Sequence, residues 1–304
     1  MPNSNYDRLY NTLLGKETKD RAERVIIWLS ILSFIIHLFV IALVDFGFIQ
    51  LSYESELLTN PISAIYTPFS FILLFEVYLL VYHIPQSTSD YIAKQYEIIT
   101  LIMIRRIFKD LANLDLSVNW FDIKYDLQFT YDILSTILLF VSIYIFHKLN
   151  ARKAQVKSVN ELPEKVQTFI KRKKVMASFL VPVIIIMALY SFINWFTGWI
   201  AWMQSNSSEG ASFIDINNIF YDKFFTLLIL TDVLLLLFSF FNTSSFHVFI
   251  RNSGFIISTI LIRLSFGTDG LINNILIIVA VLFGVLILWI TQKYNTLNDR
   301  TLKV

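Results

Sequence analysis

The chain contains no cysteine. Disulfides, thiolate metal sites and cysteine nucleophiles are therefore excluded together. Glycine and proline are scarce, at 8 and 6 of 304 residues. Transporters built on broken helices use such residues to interrupt their spans. Here only Pro68 and Pro182 fall inside the long apolar runs. Charge is thin as well: 16% of residues are Asp, Glu, Lys or Arg, where a soluble domain carries about 25%. Catalytic signatures are missing too. The sequence has no phosphate-cradling glycine loop, no HExxH pair, no serine on a nucleophile elbow and no Asp-rich diphosphate motif. Nothing in it resembles a potassium filter. Arg105, Arg106 and Lys109 lack the every-third spacing of a voltage-sensing helix. An enzyme is the least expected class, and no motif asks for a metal or a cofactor.

What is abundant is apolar surface. The chain is 56% hydrophobic, with a mean hydropathy of +0.61 and 28 phenylalanines. Such a composition reads as an integral membrane protein. A crossing helix needs about 20 apolar residues. Seven segments meet that length: 25–44, 61–84, 131–149, 175–203, 219–241, 248–267 and 271–291. The first run is too long for a signal-peptide core and reads as a span.

An eighth segment, 91–113, is ambiguous. Its heart, YEIITLIMIRRIFKDLANLD, carries Glu97, Arg105, Arg106, Lys109 and Asp110 among its Ile, Leu and Phe. On a helical wheel Lys94, Glu97, Arg105 and Lys109 cluster, which also suits a helix lying on the membrane surface. A central arginine costs about 2.5 to 3.5 kcal/mol to insert, and each Leu or Ile returns only about 0.5.

Charge asymmetry arbitrates, because cytoplasmic loops collect Lys and Arg. Segments 1–24 and 150–174 are both rich in them, so both are expected inside. An even number of crossings must separate them, and the segment 91–113 supplies the missing one. With eight spans, the inside segments hold sixteen basic residues and the outside ones hold a single one, Lys124. Trp195, Trp199 and Trp202 then form an outer belt, with Trp28 and Trp289 near the inner face. A single cysteine placed at Ser117 is expected to react with an impermeant thiol reagent from outside. Labelling from the cytoplasmic side alone would leave seven spans, with 91–113 on the surface.

The expected fold class is an all-α polytopic membrane protein, both termini cytoplasmic. Its parts are an N-terminal segment 1–24, four helices in 25–149, a basic loop 150–174, four helices in 175–291 and a tail 292–304. No repeat relates the two groups. Within the loop, Glu161 to Lys174 could form a short amphipathic helix.

Ionisable residues within spans are expensive and mark candidate sites. Glu76 and Asp232 lie at matching depths, about 12 to 14 Å from the cytoplasmic ends at 1.5 Å per residue. Two acids at one depth suit a cation or proton site if their helices are neighbours; the bland alternative is hydrogen bonding in the packed interior. His37 sits near mid-span and is more in keeping with packing than with a proton relay. His83, His147 and His247 fall near cytoplasmic ends without a metal-binding spacing. The seventh span carries two polar stripes: Arg251, Gly254, Ser258 and Ser265 on one, and Asn252, Thr259 and Arg263 on the other. One stripe could line a water path, or both could pack against neighbours. Arg263 is placed to reach Asp222 or Asp232. Lys171, Arg172, Lys173 and Lys174 are explained by the positive-inside rule, or they contact an anionic lipid, nucleotide, oligonucleotide or acidic protein.

The function expected from these features is an ion-conducting channel, homo-oligomeric, in the plasma (inner) membrane. The alternatives are a proton- or cation-coupled transporter and a non-conducting scaffold that binds a partner.

Overall fold

A computed structural model describes residues 5–48, 60–112, 124–151, 164–204, 216–240 and 246–301. Among these residues there is no strand. The protein is an all-α polytopic helical membrane protein. Six helical segments are long and apolar enough to cross a bilayer: Arg8–Asp45, Pro61–His83, Asp126–Asn150, Val166–Ser191, Val248–Ser265 and Gly270–Tyr294.

Helix α1 (Asn5–Leu14) precedes the long helix α2 (Lys16–Asp45). Gly15 makes the corner. A Cβ there would fall 2.2 Å from the Asn11 carbonyl oxygen, so only glycine lets the chain turn this tightly. α1 folds back on the bundle: the Tyr78 hydroxyl donates to the Leu13 carbonyl at 3.0 Å, and the Lys174 ammonium sits 5.1 Å from the Tyr10 ring. Alanine at position 15 is expected to cost about 1 to 3 kcal/mol. The check is the melting temperature of the purified variant, and an unchanged value would mean that the corner opens freely. α2 itself buries only Ser30 and Ile41. Its Trp28 is 72% exposed, as a lipid-facing belt residue would be.

A 3-10 turn (Pro61–Ile65) leads into α3 (Tyr66–His83), followed by α4 (Thr88–Ala112) and α5 (Lys124–Asn150). The second group is α6 (Glu164–Gln204), α7 (Ile216–Phe240), α8 (Phe246–Ser265) and α9 (Gly270–Thr301). α6 begins within the segment expected to be a basic loop, so Lys171 to Lys174 stand on its first turns. Pro182 lies inside α6 without ending it. Beyond the six segments, the side chains of α7 are described from Lys223 to Ser239, short of a full crossing length. The side chains of Trp195, Trp199, Trp202, Asp222 and His247 also lie outside the described set.

α4 is the ambiguous segment, and it forms the centre of the bundle. Of its described side chains only Leu111 is exposed. A helix on a membrane surface would keep one face in water and the other in lipid; α4 is covered by protein instead. Asp90 pairs with Asn150 near one end, and Arg106 with Asp132 near the other, so α4 and α5 run antiparallel. Between Asp90 and Arg106 the helix advances about 24 Å. α3 is antiparallel to α4 as well, with Glu76 beside Lys94 and Phe69 beside Phe108. α9 is antiparallel to α4, with Asn273 on Arg106 and Gly284 under Tyr96, while α8 runs parallel to α4, with Ser258 on Tyr96 and Ser265 beside the Asn273 that Arg106 reaches. Outward faces are mostly apolar. On α5 the exposed residues between Leu134 and Ile145 include Ile137, Leu138, Phe140 and Val141.

Candidate functional site

Many polar side chains of the spans turn inward, and a group of them meets on α4. Successive residues of a helix point about 100° apart, so Lys94, Gln95 and Tyr96 reach round to four neighbouring helices, with α8 shared by the last two. α3, α7 and α8 each supply a polar group.

Lys94 faces α3. Its ammonium lies 3.3 Å from Glu76 and 3.0 Å from Glu97, and Glu97 in turn meets the His147 ring at 2.9 Å. This makes a continuous chain of four titratable groups on three helices. Side-chain exposure falls along it from 47% at His147 to 13% at Glu76.

Gln95 faces α7 and α8. Its amide nitrogen donates to Asp232 at 3.4 Å, a long bond, and its carbonyl accepts from Thr259 at 2.8 Å. Asp232 is buried, with Tyr91 near it on the α4 side. A cavity of about 30 Å³ opens beside this group, lined by Tyr91, Lys173, Asp232, Asn252 and Thr88 together with Phe169 and other apolar residues. A water needs roughly 10 to 15 Å³ of such space, so the cavity takes one or two water-sized occupants.

Tyr96 faces α8 and α9. Its hydroxyl meets Ser258 at 2.8 Å, and Ser258 donates on to the Ala280 carbonyl at 2.7 Å. The ring crosses Gly284, where an added Cβ would fall 1.7 Å from the tyrosine oxygen.

One helical stretch lower, Arg106 lies 3.1 Å from Asp132 and donates to Asn273 at 2.7 Å. Asp132 is fully buried and also accepts from Gln128 at 2.7 Å and Asn274 at 2.6 Å.

The two acids singled out from the sequence are thus on separate partners. Glu76 belongs to Lys94 and Asp232 to Gln95, on different flanks of α4, so they do not share one site. Arg263 donates to Thr226 at 2.9 Å. Asn252 donates to Ser239 at 3.3 Å. With Thr259 on Gln95, the second stripe of α8 is spent on α7 and α4. The first stripe faces α9: Gly254 lies against Ile287, and the Ser265 carbonyl accepts from Asn273. His37 bonds Thr67, and the His83 Nδ1–H donates to the Leu79 carbonyl at 2.7 Å. Among the described residues no three metal-binding side chains gather.

The four basic residues of α6 separate by helical rotation. Lys171 and Arg172 are exposed, Arg172 lying 5.5 Å from the Phe238 ring. Lys174 covers Tyr10. Lys173 is only 4% exposed and donates to the Gln86 carbonyl at 2.9 Å. Asp132, Asn274, Lys94, Gln95, Tyr91 and Tyr96 were not singled out as site residues from the sequence. A count of polar residues per span would have flagged Asn273 and Asn274; the others sit in mixed contexts that a wheel assigns to lipid or water with equal ease.

Comparison with protein families, with curated proteins and with solved structures finds no match for this chain.

Proposed function

We propose that the protein conducts ions across the plasma (inner) membrane, along a path inside each chain on the polar flank of α4. The observation that carries this reading is the inward orientation of the polar groups. A pore shared between subunits would need polar residues along the outward faces of the helices, and those faces are mostly apolar among the described residues, the Arg263–Thr226 pair between α8 and α7 being an exception. Inside, Asp232, Gln95, Thr259 and the cavity supply a carboxylate, an amide, a hydroxyl and space for water on one side of one helix. Buried acids that line water-holding space in a membrane serve as ion or proton stations.

A proton- or cation-coupled transporter is the second reading. The small size of the cavity favours it, since a site that holds one or two waters suits an occluded ion better than a continuous water column.

The test uses purified protein in planar bilayers with asymmetric salt, and in proteoliposomes. Discrete conductance steps with a cation-selective reversal potential are the channel result. Saturable flux that depends on a pH gradient is the transporter result. In either case Asp232→Asn is expected to lower the cation flux at least about tenfold, equivalent to about 1.4 kcal/mol of barrier. Flux through Asp232→Asn equal to that of the parent protein would remove this path.

A further inference from the structure

The cavity holds two opposite charges whose joint presence the conduction path does not by itself explain. Asp232 enters from α7 and Lys173 from α6, and both are almost fully buried. The ammonium is close enough for its charge to be felt at the carboxylate. It is tethered at the cavity edge by the Gln86 carbonyl, in the turn between α3 and α4. The remaining polar groups around the space are the Tyr91 and Thr88 hydroxyls and the Asn252 amide. The Tyr91 hydroxyl is buried and makes no hydrogen bond of good geometry. Arg251 sits against Asn252, its guanidinium 3.1 Å from the amide oxygen. Tyr91 from α4 and Lys173 from α6 are the titratable groups that line the space with Asp232; Arg251, next along α8 from Asn252, is outside the lining.

A buried carboxylate beside a water-sized space needs one positive charge. Lys173 brings one into the same space from within the chain. The space and the Tyr91 hydroxyl beside it are what an incoming cation would need to take its place.

We infer that this cavity is an exchange site for a single monovalent cation, and that Lys173 is the resident counter-charge which the arriving cation replaces at Asp232. The occupant is a proton or a small alkali ion, since both bring one charge and fit the volume. The inference rests on the proposed cation path, but its test does not need transport.

The measurement is the melting temperature of the purified full-length protein. Sodium chloride is exchanged for choline chloride at fixed ionic strength, and separately the pH is stepped downward in choline chloride. The parent protein is expected to respond weakly, because Lys173 already neutralises Asp232. Lys173→Met exposes the need for an external charge. Its melting temperature is expected to rise by about 3 °C or more with sodium, with acid or with both. A response to sodium identifies a metal-ion site, and a response to acid alone identifies a proton site. In Lys173→Met/Asp232→Asn the response is expected to vanish. Should Lys173→Met fail to accumulate, recovery of folded protein in the double variant carries the same meaning. The inference is overturned if Lys173→Met responds no more than the parent, if the double variant keeps the response, or if neither variant folds. Cation-dependent stability without flux would leave the site standing and end the conduction proposal. Flux without that dependence would do the reverse.

Discussion

Alanine at position 284 is expected to destabilise the protein by about 2 to 3 kcal/mol, and phenylalanine at position 96 to remove much of that cost. The added methyl would fall 1.7 Å from the Tyr96 hydroxyl and 2.7 Å from the ring carbon that bears it. The ring has nowhere to withdraw. It is fully buried, its hydroxyl is engaged by Ser258, and its ring packs at 85° to that of Phe146 with centroids 5.2 Å apart. Accommodating the methyl therefore means breaking the Tyr96–Ser258 bond or pushing α9 away from α4. Tyr96→Phe alone is mild, about 1 kcal/mol, because Ser258 keeps the Ala280 carbonyl as its acceptor. In that background the nearest obstacle is gone and only the ring carbon remains too close. Melting temperatures of the two single variants and the double variant give the coupling. A non-additivity of about 1 kcal/mol or more is the expected result. Strict additivity would mean that Tyr96 does not pass over Gly284.

The same contact shows what a sequence can and cannot display. Gly284 lies in the apolar run IIVAVLFGVLILWI, where a lone glycine has no visible purpose. Its purpose comes from a tyrosine nearly 190 positions away. Helix content, by contrast, was legible throughout, because apolar runs of crossing length admit few alternatives. The two stripes on α8 were legible as well, since a 100° repeat depends only on position. What the stripes faced was not, for a polar group looks the same whether its neighbour is water or another helix. This is also why 91–113 divided between two readings. Its wheel correctly separates Lys94 and Glu97 from Ile104 and Phe108. The wheel carries no sign of Glu76, His147 or Asp132, the groups that make its charges tolerable inside the bundle. The basic cluster 171–174 failed in a different way. Four consecutive charges read as one feature, yet a helix turns them through more than three quarters of a circle, and the rotation buries Lys173 while leaving Lys171 and Arg172 outside.

Neutralising Arg106 alone is expected to cost about 3 to 5 kcal/mol, more than neutralising Asp132 alone. The asymmetry follows from exposure. The Asp132 side chain is 0% exposed and that of Arg106 is 25% exposed. Without Arg106, the carboxylate keeps only the amides of Gln128 and Asn274, which donate hydrogen bonds but bring no charge. Without Asp132, the guanidinium keeps the Asn273 carbonyl and can swing its long stem toward water. Arg106→Gln should therefore lower the melting temperature more than Asp132→Asn. The double variant Arg106→Gln/Asp132→Asn removes both charges while retaining groups that can hydrogen-bond. It is expected to return to within about 1 to 2 kcal/mol of the parent, because a buried ion pair replaced as a pair forfeits little. If the double variant is as unstable as Arg106→Gln, the charge of Asp132 is not what Arg106 holds in check. Recovery would show that Arg106 is tolerated inside the bundle because Asp132 matches its charge. A helix too polar for lipid can then lie among helices that are not.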